Sequence, residues 1–252
     1  MNAILGVFAS AILPVVAIAA AGFALGRTRE VDPAALNTVT VYVLAPALVF
    51  HSLATSTLAA GTLARVAVGV VAFTLAMAAV AEGFGRLRGT KEPLLSALVL
   101  VAAFSNAGNL GIPVSDFAFG SAGRETAVLF MSVQAVLMYT VGVYVASRSG
   151  GAAGLSGVRR VFRLPLVYAV VGALVARALG VVPAADAASM EAVGLVGDSA
   201  IPVMLLVLGL QLARTDYAAA LSKARTGTAL RLLVAPAVGL GVAHAVGFSD
   251  PT

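Results

Sequence analysis

The chain has 252 residues, of which 60% are hydrophobic and 11% are charged, with a mean hydropathy of +1.02 and a formal net charge of +5. A soluble domain carries about one quarter charged residues, so 16 basic and 11 acidic residues are too few to cover a soluble surface of this size. The composition therefore excludes an ordinary cytosolic domain and a disordered segment. Because the chain has no cysteine, it also excludes disulfide scaffolds, thiolate catalysis and zinc–thiolate sites.

Eight apolar stretches are long enough to form helices that cross a bilayer, since such a helix needs about 20 apolar residues. They cover residues 4–26, 42–53 with their flanks between 32 and 65, 63–84, 93–114, 126–146, 164–181, 192–213 and 232–248. The first stretch is predicted to be a retained helix rather than a signal peptide, because no Lys or Arg precedes it and it is too long. The sequence thus predicts an all-α polytopic membrane protein.

The basic residues indicate how these spans are oriented. Thirteen of the 16 Lys and Arg residues follow spans one, three, five and seven, and only Arg65, Arg124 and Arg177 lie on the opposite side. By the positive-inside rule, this predicts a multi-pass protein of the cell membrane with its N-terminus outside. No basic run is interleaved with aromatic residues, so the lipid bilayer is the predicted partner and nucleic acid is not.

Three pairs of sequence features recur in the same order in the two halves of the chain. They are Leu13-Pro14 with Leu164-Pro165, Pro46 with Pro202, and Thr62–Arg65 with Thr228–Arg231. Matching irregularities of this kind are typical of transporters built from two repeats. Because a five-helix repeat has an odd number of spans, its second copy must be inverted. We therefore predict inverted five-helix repeats, with a first repeat over 1–147, a cytoplasmic linker over 148–163 and an incomplete second repeat over 164–252, which gives eight of ten expected helices.

Residues 105–113 interrupt the fourth span with the sequence Ser-Asn-Ala-Gly-Asn-Leu-Gly-Ile-Pro. The two glycines and the proline weaken helix propagation, and the two asparagines tend to bond locally to backbone. Within a membrane, such a break is tolerated where it is buried in protein or lines a cavity. The asparagine side chains and the freed N–H groups would then bind an anion, although small residues can also serve close helix packing. The predicted substrate-binding residues of this broken helix are Ser105, Asn106, Gly108, Asn109, Gly111 and Pro113.

Three stretches of the sequence resemble the auxin efflux carrier family, within the bile-acid/auxin/arsenite transporter superfamily. They are Leu13-Pro14 with Tyr42–Phe50, Asn106–Pro113 with Phe119-Gly120, and Ala200–Pro202 with Leu208–Ala213. The resemblance implies scaffold and transport bundles in which broken helices four and nine cross. It also implies that Asn106 contacts a substrate carboxylate, that Pro113 is the proline of the crossover, that Pro46 lies near the same pocket and that the carrier is a homodimer.

Other polar residues inside the spans are candidates for ion coupling. Asp198 and Asp116 could bind a proton or sodium, and His51 could be protonated, because ionisable residues in membrane helices are functional by default. The alternatives are that Asp198 is solvated near the headgroups and that His51 is packed or interfacial. No Ser–His–Asp set, metal-ligand cluster or Walker sequence occurs, so no metal, cofactor or enzymatic activity is predicted.

The leading functional hypothesis is a secondary carrier that moves small organic anions such as carboxylates, mainly outward, by alternating access. An inside-negative potential favours anion exit by ~2.3 kcal/mol per charge per 100 mV, so a coupled ion is not required. The alternatives are a sodium-coupled bile-acid-like symporter, an intramembrane enzyme that uses His51 with Asp198, and a non-transporting fragment of such a carrier.

Overall fold

The computed structural model describes residues 12–148, 162–216 and 225–248, and all regular elements in these ranges are helices. In chain order they are α1 Leu13–Thr28, α2 Pro33–Ala54, α3 Ala60–Leu87, α4 Leu94–Ala103, α5 Ile112–Leu137, α6 Val143–Ser147, α7 Pro165–Leu179, α8 Ala188–Ala213 and α9 Arg225–Ala245. The prediction of an all-α polytopic membrane protein is confirmed. The start of the first span, most of the predicted 148–163 linker and Lys223 lie outside the described residues.

Five helical stretches of the described chain are long and apolar enough to cross a membrane. They are α2, α3, α8, α9 and the stretch Leu94–Ser147, which contains α4, α5 and α6. The helices α1 and α7 are apolar but shorter, with 16 and 15 residues. The predicted fourth and fifth spans therefore belong to one 54-residue stretch, which is divided by irregular backbone rather than by a polar loop.

Prolines and their neighbours determine where several helices begin and where a helix contains a wider, π-helical turn. The Asp32 carboxylate accepts a hydrogen bond from the Ala34 N–H at 2.9 Å, and Pro33 occupies the first turn of α2, which is a favourable helix start. Turns of π-helix lie shortly before Pro46, Pro113 and Pro236; they cover Thr40–Leu44, Ala107–Gly111 and Leu230–Val234. A proline lacks an N–H group and its ring clashes with the carbonyl four residues earlier, so a wider turn lets the helix continue past it.

The chain forms two compact units, each of which draws on both predicted repeats. The first unit consists of Met1–Leu58, Asn106–Ser132 and Leu164–Thr215, and the second of Ala59–Ser105, Val133–Arg163 and Asp216–Thr252. The repeat boundaries near 147 and 164 stay a prediction, because a division by packing does not test an internal repeat.

In the first unit, glycines let helix backbones pack against one another. A Cβ on Gly209 of α8 would collide with the Ala19 carbonyl oxygen of α1, and a Cβ on Gly22 would lie 2.9 Å from the Leu206 Cα. Small residues bring apolar helices close enough for backbone contact in this way. Leu48 of α2 lies against α8 at Gly197, where a Cβ would be 2.8 Å from the Leu48 Cα.

The second unit has its own apolar core between α3 and α4. Met77 and Ala81 of α3 pack with Val99 and Ala102 of α4, and all four are almost completely buried. The Ser96 hydroxyl donates to the Val145 carbonyl of α6 at 2.8 Å. This bond satisfies a polar group that would otherwise be costly in an apolar core.

We expect Gly209→Ala to lower the free energy of unfolding by about 1–3 kcal/mol, because the added methyl group overpacks the contact between α1 and α8. The matched control is Gly83→Ala in α3, where a Cβ meets nothing within 4 Å and alanine should stabilise the helix by about 0.5–1 kcal/mol. Denaturant unfolding of the detergent-solubilised protein measures both changes. Equal stability of the two variants would show that the close contact contributes nothing.

Candidate substrate site at the helix break

The predicted break of the fourth span is present, and Asn106 organises it. Helix α4 ends at Ala103, Phe104 is extended, and the wider turn Ala107–Gly111 follows Asn106. The Asn106 Oδ1 accepts a hydrogen bond from the Asn109 N–H at 3.2 Å, and its carbonyl accepts from the Gly111 N–H at 3.0 Å. The Asn106 side chain therefore caps the new helix start.

The side-chain amides of Asn106 and Asn109 are available for a ligand. Asn106 is exposed and Asn109 half-exposed. Neither Nδ2 group has a hydrogen-bond partner in the part of the chain that the structure describes. Because Asn106 uses its Oδ1 as the cap, its Nδ2 remains oriented as a donor. Donors beside the positive end of a helix suit an anion.

The two glycines of the break differ in their surroundings. A Cβ on Gly108 would lie 3.1 Å from the Met131 sulfur of α5, whereas a Cβ on Gly111 would make only ordinary contacts with Asn106 and Ala107. Gly108 thus also serves close packing, which was the alternative interpretation of these small residues. Pro113 follows the buried Ile112 in the first turn of α5, where the missing N–H of a proline costs little.

Ser105 bonds to a glutamine that the sequence analysis did not single out. The N–H and hydroxyl of Ser105 donate to the Gln134 Oε1 at 3.3 and 3.0 Å. Because a backbone N–H can only donate, the atom facing it must be oxygen, which fixes the orientation of the amide. Gln134 is only 5% exposed, and its Nε2 is buried without a partner. The only sequence indication was an uncharged amide inside an otherwise apolar span.

Helix α8 connects the irregular turns of the first unit. It packs against both the turn Thr40–Leu44, which precedes Pro46, and the turn Ala107–Gly111, which follows Asn106. Within α8, Ser199 is a turn residue just before Pro202, so the predicted irregularity in span seven is also observed. The place of Pro46 in the substrate site stays a prediction.

A kink at Gly120 folds α5 so that two predicted coupling residues share one cation. Gly120 has φ 63° and ψ −147°, a conformation that favours glycine. Asp116 and Arg124 would be ~12 Å apart along a straight helix, yet their side chains bond at 2.7 Å. Arg124 also bonds Asp198 of α8 at 2.6 Å. Both carboxylates are thus paired with a cation rather than free for a coupling ion.

His51, the third predicted coupling residue, packs against α8. A Cβ on Gly194 would lie 3.0 Å from the His51 Nε2, and the residue is only partly exposed. Its contact position is one helical turn before Asp198, whose carboxylate is bonded to Arg124. No hydrogen bond joins His51 to Asp198 among the described residues, and the Asp198 carboxylate binds Arg124 instead.

A buried carboxyl group, Glu125, was also missed by the sequence analysis. It is 8% exposed, and the Ser56 hydroxyl donates to its Oε2 at 2.5 Å. Ser56 in turn accepts from the Leu58 N–H, and Arg177 donates to the carbonyls of Leu53 and Leu58 at 3.2 and 2.9 Å. These bonds fasten the C-terminal end of α2 to α5 and α7.

We expect Arg124→Gln to lower the unfolding temperature by several degrees, because it leaves two carboxylates without their cation. Asp198→Asn should cost less, since the Asp198 side chain is 57% exposed whereas that of Asp116 is 15% exposed. Thermal unfolding in detergent at two salt concentrations compares the variants. Equal losses for Arg124→Gln and Asp198→Asn would contradict the idea that Asp116 is the main partner of Arg124.

Comparison with known proteins connects this architecture to a function. A family model described as "membrane transport protein" matches residues 7–156 and 153–250. An "uncharacterized transporter" of Methanothermobacter thermautotrophicus is 28% identical over 226 residues, which cover 89% of this chain and 73% of that relative. The matches include the helix break and α8.

Proposed function

Since the chain belongs to the auxin efflux carrier family of membrane transport proteins, it is a multi-pass membrane transporter, and we propose that its substrates are small organic anions such as carboxylates. The resemblance found in the sequence is thereby confirmed. The observation that carries the proposal is the pair of Nδ2 groups that Asn106 and Asn109 of the first unit present at the helix break. Neither group has a hydrogen-bond partner among the described residues.

These donors select for negative charge because all of them are N–H groups. A carboxylate only accepts hydrogen bonds, and such bonds are stronger when the acceptor is charged. The turn that begins at Ala107 adds the positive end of a helix.

The coupling residues favour potential-driven export over sodium-coupled symport. A sodium site needs oxygen ligands, and the carboxylates of Asp116 and Asp198 are both paired with Arg124. With that cation in place, a sodium ion would meet like-charge repulsion. We therefore propose anion efflux by alternating access, driven by the inside-negative potential at ~2.3 kcal/mol per charge per 100 mV.

The distribution of basic residues supports a cell-membrane orientation with the N-terminus outside. Arg124 and Arg177 belong to the minority of cations on the predicted outer side, and both bind protein groups: carboxylates in one case and backbone carbonyls in the other. Because these two arginines are bound within the protein, they do not weaken the excess of Lys and Arg in the loops on the predicted cytoplasmic side.

We expect Asn106→Ala to reduce carboxylate flux at least tenfold, because it removes both the free Nδ2 donor and the cap of the helix start. The protein is reconstituted in proteoliposomes, and efflux of radiolabelled malonate, malate and indole-3-acetate is followed under an imposed potential. The matched control is Asn37→Ala, since Asn37 is exposed in the first turns of α2. Undiminished flux through Asn106→Ala would refute the assignment of this residue to the substrate.

A further inference from the structure

Arg231 is a cation inside an apolar helix of the second unit, and its side chain bonds to the C-terminal end of α4. We propose that Arg231 is the counter-ion of the transported anion and thereby determines the charge selectivity of the carrier. This inference rests on the proposed function, because it assigns a residue to the recognition of an anionic substrate.

The structure places Arg231 within a helix, whereas the sequence indicated a loop. The sequence analysis began span eight at residue 232 and assigned Arg231 to the preceding loop. In the described residues, α9 already includes Arg225, so Arg231 lies at least about 9 Å along the helix at 1.5 Å per residue. It belongs to the wider turn Leu230–Val234 and is only partly exposed.

The partners of Arg231 are uncharged. Its Nη1 donates to the Ala102 carbonyl at 2.8 Å, and its guanidinium carbon lies 5.8 Å from the centre of the Phe73 ring. Ala102 provides one of the last carbonyls of α4, which lack partners within the helix because α4 ends at Ala103. These contacts hold the cation at the C-terminal end of α4, but they do not balance its charge.

Carboxylates do not pair with Arg231 anywhere in the described ranges. The ion pairs there join Arg86 and Arg148 to glutamates of the second unit and Arg124 to aspartates of the first. Charged groups within membrane helices are expensive and usually pair with one another. A cation with only neutral partners is therefore a place where an incoming anion gains free energy.

The guanidinium has the hydrogen-bonding capacity to bind a carboxylate. It carries five N–H donors in a planar fork, of which one bond, to Ala102, is observed. The remaining donors suit bidentate binding of a carboxylate. In chain distance, Ala102 is three residues from Ser105, so their Cα atoms lie within about 11 Å. The second unit thus presents Arg231 and the unpaired Gln134 amide near the same end of α4.

A purely structural role is the competing explanation, and the chain contains a matched example of it. Arg65 lies in the first turns of α3, as Arg231 does in the described part of α9. Each arginine is the last residue of one of the two related sequences, Thr62–Arg65 and Thr228–Arg231. Arg65 donates to the Gly247 carbonyl at 3.4 Å and lies 5.4 Å from the Phe248 ring. It is exposed, however, and its carbonyl partner lies beyond the end of α9 rather than at a helix break. Arg65 is therefore the control for Arg231.

The first experiment compares charged and neutral forms of one substrate. Proteoliposomes containing wild type, Arg231→Gln, Arg231→Lys or Arg65→Gln are assayed with malonate against malonamide and with indole-3-acetate against indole-3-acetamide. We expect Arg231→Gln to raise the KM for the carboxylate at least tenfold, without a matching change for the amide. Glutamine removes the charge and leaves a shorter N–H donor, so Arg231→Lys, which keeps the charge, separates loss of charge from loss of the guanidinium. Arg231→Lys should retain most of the preference for carboxylate, and Arg65→Gln should behave as wild type.

A second measurement needs no variant. Phenylglyoxal modifies arginines, and mass spectrometry after modification of the wild-type protein reports the rate at each site. We expect malonate to slow modification of Arg231 at least threefold while leaving Arg65 unaffected; malonamide should protect neither residue.

The outcomes separate the two proposals. If wild type moves a carboxylate but Arg231→Gln keeps the same carboxylate-to-amide preference, or if malonate gives Arg231 no protection, Arg231 is a structural cap and the inference is wrong. If wild type moves none of the carboxylates, the proposed function fails, and the counter-ion role fails with it.

Discussion

Every backbone polar group inside a bilayer must find its partner within the protein, and the break between α4 and α5 is where this requirement is hardest to meet. In the first unit, Asn106 accepts from the backbone of the new helix start. In the second unit, two side chains from distant parts of the sequence bond to the end of α4 and to the residue after it: Arg231 donates to the Ala102 carbonyl, and Gln134 accepts from Ser105. Each of these three side chains keeps N–H groups that have no partner among the described residues, which supports the proposed binding of an anion.

The same requirement explains the wider turns before prolines. At Pro46, Pro113 and Pro236 the backbone changes its hydrogen-bond spacing instead of ending the helix. Helix α8 packs against two of these turns, and its glycines permit backbone contact with α1 and α2. In each of these two turns one residue is buried, Thr40 in the first and Ala107 in the second, so α8 covers part of the irregular backbone of the first unit.

Local sequence was sufficient to predict what depends on local chemistry. Long apolar stretches predicted the spans, and the combination of glycine, asparagine and proline predicted the break at its observed place. Partners that come from distant residues could not be predicted in this way. Arg124 reaches Asp198 across 74 residues, and Gln134 reaches Ser105 across 29. The kink that brings Asp116 to Arg124 depends on the positive φ of Gly120, a conformation that a single glycine permits but does not reveal.

The pairing of charges in the first unit supports the proposed anionic substrate. The carboxylates of Asp116, Asp198 and Glu125 already have donors: Arg124 for the two aspartates, and the Ser56 hydroxyl for Glu125. A cation bound there would have to displace a protein group. Arg231, by contrast, has only a carbonyl and an aromatic ring as partners, and an anion bound to it would displace no carboxylate. Since transport requires a substrate to bind without dismantling the helices that carry it, these pairings support the proposal of an anionic substrate.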